Sequence, residues 1–159
     1  MESRCLFGNY LGTEVSVGPL AINEKRFDVK TSKPNPTEIT HHKKSRILEV
    51  TYDSGDQFKL PTEYLRVYSP SAEVRGHGPG QEVLQVGKQD VEIDEIEPMG
   101  NYAVKLRFSD GHDTGIYSWD YLYELGKNQE KNWADYLDRL RKAGESRGKP
   151  VTWRELKKT

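Results

Sequence analysis

The sequence predicts an α+β fold: a small antiparallel sheet of two pseudo-repeated hairpin-plus-helix units, followed by a C-terminal helix. Three observations carry the prediction. Tyr102–Phe108 (YAVKLRF) alternates strictly, with Tyr102, Val104, Leu106 and Phe108 on one face and Ala103, Lys105 and Arg107 on the other, the mark of a half-buried strand. Two stretches, Tyr52–Leu65 and Phe108–Leu122, then share one grammar: an aromatic, an Asp/Ser-Gly turn, a returning strand and a helical start ending in Tyr-Leu. Finally, Trp133, Tyr136, Leu137 and Leu140 fall on one face of a helix over Glu130–Ala143.

Taken in order, Met1–Lys33 shows no sustained period and reads as a partly ordered arm. The run Ser32–Pro36 punctuates it, because two prolines fix φ and push their predecessors away from helix. This sets an arm over 1–36, a domain over 37–126, and a helix with a basic tail over 127–159. Glu38–His42 is a short strand. Arg46–Tyr52 and Gln57–Leu60 form a hairpin about Gly55, which takes positive φ at little cost. Pro61 opens a short helix or turn through Leu65. Val74–Gly80 is a loop, Gln81–Leu84 a candidate strand edge, and Val91–Ile96 a strand. Glu97–Asn101 turns into Tyr102–Phe108. His112–Tyr117 returns, and Ser118 caps a helix through Leu125 that stops at Gly126.

Composition narrows the function classes. Apolar residues make up 34% and charged residues 31% of the 159, with a net charge of −1, so no global field draws the chain to nucleic acid or to an anionic membrane. The basic residues concentrate from Lys131 onward, leaving the rest acidic, so nucleic-acid binding ranks last. One cysteine, Cys5, forms no disulfide framework or thiolate cage, which fits a reducing cytoplasmic compartment. No apolar stretch reaches membrane-spanning length, and the N-terminus lacks a signal-peptide pattern.

The chemistry-bearing motifs are sparse. His41 and His42 point to opposite faces of a strand and share no ion. Each Gly-Lys pair (Gly87-Lys88, Gly126-Lys127, Gly148-Lys149) lacks the following Ser/Thr of a phosphate loop. Ser69, Ser71 and Ser118 lie outside any nucleophile-elbow context. The expectation is therefore a non-enzyme without a cofactor. What remains is an aromatic and cationic surface on two facing stretches, Pro61–Gly80 and Asp110–Leu125. The candidate contact residues are Arg66, Tyr68, Arg75, His77, His112, Asp113, Tyr117 and Trp119, since aromatic and Arg side chains dominate binding hot spots. A metal or small-ligand site using His77, His112, Asp110 and Asp113 is the alternative.

The runs LRVYSPSAEVRGHGPGQ and GNYAVKLRFSDGHDTGIYSWDYLYELG, within Thr37–Gly126, resemble the domain family named after the N-terminal region of gamma-butyrobetaine hydroxylase. The resemblance implies a small α+β unit holding a structural zinc through three cysteines and one histidine. Matched residue by residue, the cysteines fall on Ser69, Ser71 and Val74, and the histidine on His112. Serine is a poor zinc ligand and valine is none, so the resemblance implies the fold without the metal. Relatives that carry a similar domain beside an Mrp-like P-loop ATPase imply a non-catalytic accessory role in iron–sulfur cluster assembly, with an unidentified protein partner. The hydroxylases themselves imply the alternative of a stand-alone N-terminal subunit for a 2-oxoglutarate dioxygenase.

Overall fold

The computed structural model describes residues 33–148. Expectations for the N-terminal arm before Lys33, for Cys5 and for the tail beyond Gly148 lie outside the described residues. The fold is α+β, but it holds two small sheets rather than one. β1 (Pro36–His42), β2 (Ile47–Tyr52) and β3 (Gln57–Pro61) form an antiparallel meander leading into α1 (Thr62–Val67) and, after a short turn, α2 (Ala72–Arg75). β4 (Ile93–Met99), β5 (Ala103–Phe108) and β6 (Ile116–Ser118) repeat the meander and lead into α3 (Trp119–Lys127) and α4 (Gln129–Ala143).

The core lies where the inner faces meet. Leu48, Val50 and Tyr52 of β2 alternate inward, as do Val104, Leu106 and Phe108 of β5, while Tyr64, Leu65, Leu122 and Leu125 arrive from the helices. Every residue of α1 is buried, so this six-residue helix rests on packing rather than on propensity, as a short helix must. Its one buried carboxylate, Glu63, takes two bonds from Arg147, at 2.9 and 2.6 Å. α3 begins as expected, with Ser118 Oγ accepting from the amide of Tyr121. It runs through Gly126, whose missing side chain admits the Phe58 ring against the helix backbone.

The internal repeat proves to be spatial as well as sequential. Tyr64 and Tyr121 hold corresponding places in α1 and α3. Tyr64 donates to the carbonyl of Leu125 at 2.8 Å, and Tyr121 donates to the carbonyl of Tyr68 at 2.7 Å. Each tyrosine thus closes the C-terminal end of the other unit's helix, where carbonyls lack intrahelical partners.

Three boundaries differ from expectation for physical reasons. β4 continues through Pro98 to Met99 because it lies at a sheet edge, where proline's missing amide costs no ladder bond. The return after Gly111 is a strand only at Ile116–Ser118; before it, the carbonyls of His112 and Gly115 still accept from Phe108 and Leu106 of β5, but without regular pairing. Gln81–Leu84 joins no strand. Among the described residues, no helix is long and apolar enough to cross a membrane.

Candidate functional site

The two stretches expected to face each other do so, through side-chain bonds. Tyr117 donates to the carbonyl of Leu65 at 2.7 Å, Arg66 pairs with Asp110 at 2.9 Å, and Arg75 lies 4.6 Å over the Tyr121 ring. Between them sits a turn whose shape the sequence dictates. Pro70 follows the end of α1, and Ser71 opens the single turn of α2. Gly76 then reverses the chain at a φ of +70°, where a side chain would strike the backbone of Gln81.

This turn brings Ser69 and Ser71 to His112, all three buried, and carries Val74, also buried. Ser69 Oγ lies 2.8 Å and Ser71 Oγ 3.4 Å from His112 Nε2, while Nδ1 lies 3.2 Å from Glu73 Oε2. A carboxylate only accepts, which assigns the ring proton to Nδ1 and makes Nε2 the acceptor for the Ser69 hydroxyl. Burial holds the His112 pKa below its ordinary value, with the nearby Arg66 cation acting in the same direction against Glu73 and Asp110. The Glu73 contact is therefore that of a neutral ring, and Glu73 itself is mostly exposed.

Three of the four positions that the resemblance assigns to zinc ligands thus converge, but the chemistry of the set does not fit the metal. Two hydroxyls, one imidazole and an isopropyl group supply no thiolate and a single strong ligand. The order Ser69, His112, Glu73 is also that of a nucleophile–base–carboxylate chain. Ser69, however, is wholly enclosed. The α-carbon of Gly115 presses on its hydroxyl so closely that a methyl there would lie 2.5 Å from Oγ. With its hydroxyl bonded to His112 and packed on Gly115, Ser69 fastens the turn to the second unit, and the cluster works as a bracket.

Beside the bracket opens a cleft of about 620 Å³, walled by the turn on one side and by α3 and α4 on the other. Its floor is apolar, with Val67, Val74 and Tyr136. Tyrosine hydroxyls fix its walls: Tyr68 donates to the carbonyl of Asn132 at 2.6 Å and Tyr136 to that of Gln85 at 2.9 Å. Burial pushes both phenols up to about 12, so they remain donors across the neutral range. Arg75 and Arg139 reach the cleft, and among the described residues neither is ion-paired with a carboxylate. Glu82 and Asp135 line it too.

Of the sequence-derived contact residues, Tyr68, Arg75 and His77 line this cleft. Arg66, His112 and Tyr117 require correction as surface residues. All three are buried: Arg66 is engaged with Asp110 and Gln85, His112 with the serines, and Tyr117 with Leu65. Trp119 is partly buried, donates to the carbonyl of Asn101 at 2.7 Å and lies outside the cleft, while Asp113 is exposed and also outside it. The alternative metal set dissolves in the same way, because Asp110 is held by Arg66 and Lys88 and His112 by Ser69.

Sequence reasoning missed the far wall: Asp135, Tyr136 and Arg139. Their spacing of one and three residues on the α4 face was the available signal, but assigning that helix to a separate region hid it. In the fold, Tyr136 and Leu140 pack on Val67 of α1.

Comparison with known proteins now bears on this geometry. The family model described as gamma-butyrobetaine hydroxylase-like, N-terminal, matches residues 39–123. The chain is 33% identical over 78 residues to the chloroplastic Fe-S cluster assembly factor HCF101 of Oryza sativa subsp. japonica, a match covering 47% of this chain and 15% of that protein. Two NMR solution structures are similar. One is 48% identical with a TM-score of 0.65, covering 76% of this chain and 94% of that one. The other is 51% identical with a TM-score of 0.64, covering 78% and 96%. A crystal structure of a protein of unknown function, of the DUF971 family, from Acidithiobacillus ferrooxidans is 40% identical, covering 58% and 92% at a TM-score of 0.49.

Proposed function

Since the chain belongs to the gamma-butyrobetaine hydroxylase-like, N-terminal, family, we propose that it is a non-catalytic interaction module serving an accessory role in iron–sulfur cluster assembly. The single observation that carries the module reading is the contrast between its two polar centres. The histidine-centred cluster is enclosed and spent on holding the turn, whereas the adjacent cleft is open, walled by tyrosine bonds and supplied with two guanidinium groups free of carboxylates. Aromatic side chains and arginine around a preformed concavity are the composition of a binding hot spot. Support for the assembly role comes from the similarity to a protein named as an Fe-S cluster assembly factor.

The test is affinity capture from the native host with quantitative mass spectrometry, comparing the wild type with an Arg75→Ala/His77→Ala variant. Enrichment of iron–sulfur assembly proteins, lost with the variant, is the expected result. An unchanged partner profile in the variant overturns the cleft as the contact surface.

A further inference from the structure

Within Gln81–Val86, which joins no strand, Glu82–Gln85 lines the cleft, and few of the backbone amides there are bonded. Val83 donates its amide to the carbonyl of Val74, Gln85 offers its carbonyl to Tyr136, and further on Gly87 and Gln89 donate to the carbonyls of Ser146 and Arg147. Val83 and Gln85 are thus tied to the body of the domain, and the Glu82 carbonyl accepts from Arg139 at 3.4 Å. The amides of Glu82, Leu84, Gln85 and Val86 have no acceptor among the described residues, and Val83 and Val86 are exposed, at 53% and 38%. A row of free amides is a template for an added strand. Val83, Leu84 and Gln85 line the same cleft as Arg75 and Arg139.

Building on the interaction-module reading, we propose that the cleft receives an extended acidic segment of a partner protein. The segment adds as a strand along Gln81–Val86 and sets a carboxylate against Arg75 and Arg139. Main-chain bonds supply affinity in such strand addition, and side-chain pockets supply selectivity. A guanidinium accepts a carboxylate in a planar, two-bond fork. Arg75 is held over the Tyr121 ring at 4.6 Å, which limits the ordering it must undergo on binding. The lining carboxylates Glu82 and Asp135 select against a polyphosphate chain, whose charges repeat along its whole length, and tolerate a segment carrying isolated acids between apolar residues.

The test uses the full chain, labelled with ¹⁵N and titrated with a blocked heptapeptide of alternating valine and glutamate. A valine–lysine version, inorganic phosphate and a uridine RNA hexamer serve as comparison probes. The expected result is saturable shifts at the amides of Glu82, Leu84 and Val86, with slowed hydrogen exchange there. An Arg75→Ala/Arg139→Ala variant is expected to weaken glutamate-peptide binding about tenfold or more. Equal binding of the lysine peptide overturns the proposal. So does tighter binding of phosphate or RNA at the same residues, or shifts that follow protein concentration alone and so mark pairing between two copies. If the glutamate peptide fails while captured partners still cross-link at the cleft, this inference falls and the module reading stands. If both fail, both fall.

Discussion

Replacing Ser69 with alanine isolates the bracket that stands where the family resemblance places zinc. The hydroxyl lies 2.8 Å from His112 Nε2, and the only other donor there among the described residues, Ser71 Oγ, lies at 3.4 Å. Removing it leaves a buried acceptor nearly unpaired, which costs about 2 kcal/mol, the middle of the range for a stranded buried group. For a cooperative unit the size of residues 33–148, with an unfolding entropy of about 2 cal/mol/K per residue, this lowers Tm by about 8 °C. Differential scanning calorimetry at pH 8, where His112 is neutral in both folded and unfolded chains, reads the shift directly. A Ser69→Ala/His112→Leu double variant removes both partners and is expected to be less destabilised than the two single effects together. A Tm loss below about 2 °C for Ser69→Ala would refute the bracket, because a hydroxyl that matters so little cannot be fastening the turn.

The remaining predictions follow from the same geometry. The folded-state pKa of His112 lies below its unfolded value, with burial first and Arg66 second as causes. Its contribution to stability is therefore complete above the unfolded pKa of about 6.5 and is lost as pH falls through the lower folded value; urea midpoints from pH 8 to 5 check this, and His112→Gln is expected to flatten that part of the profile. Arg66→Met leaves Asp110 with Lys88 and the His112 amide and strips the Gln85 side-chain oxygen of its Arg66 donor. It is expected to cost about 3 kcal/mol, the lower end for breaking a buried pair, as measured by chemical denaturation. Gly126→Ala drives a methyl into the Phe58 ring and is expected to cost about 1–3 kcal/mol through overpacking, whereas the paired Phe58→Leu/Gly126→Ala variant recovers part of that loss.

Much of the fold was legible because it is written in local periods and turns. The alternation over Val104–Phe108 marked β5, although Tyr102 proves exposed and Ala103 buried; the Asp/Ser-Gly pairs marked the hairpins, and Ser118 marked the start of α3. These features depend on neighbours a few residues apart, so spacing alone specifies them. The echo between Tyr52–Leu65 and Phe108–Leu122 was likewise visible, and the reciprocal bonds of Tyr64 and Tyr121 show its physical content.

What the amino-acid sequence determined by itself was the family, the α+β class, the two repeated units and the absence of cysteine at Ser69, Ser71 and Val74, the positions that the resemblance assigns to zinc ligands. What only the tertiary structure decided was which side chains face solvent. Arg66, His112 and Tyr117 read as surface residues because charged and aromatic residues in a Gly-rich context often are. Each is buried, because a partner more than forty residues away satisfies its polar atoms. The cleft is decided in the same way, since its two walls come from distant segments, the turn at Val67–Gly78 and the face of α4, and no local pattern encodes their meeting.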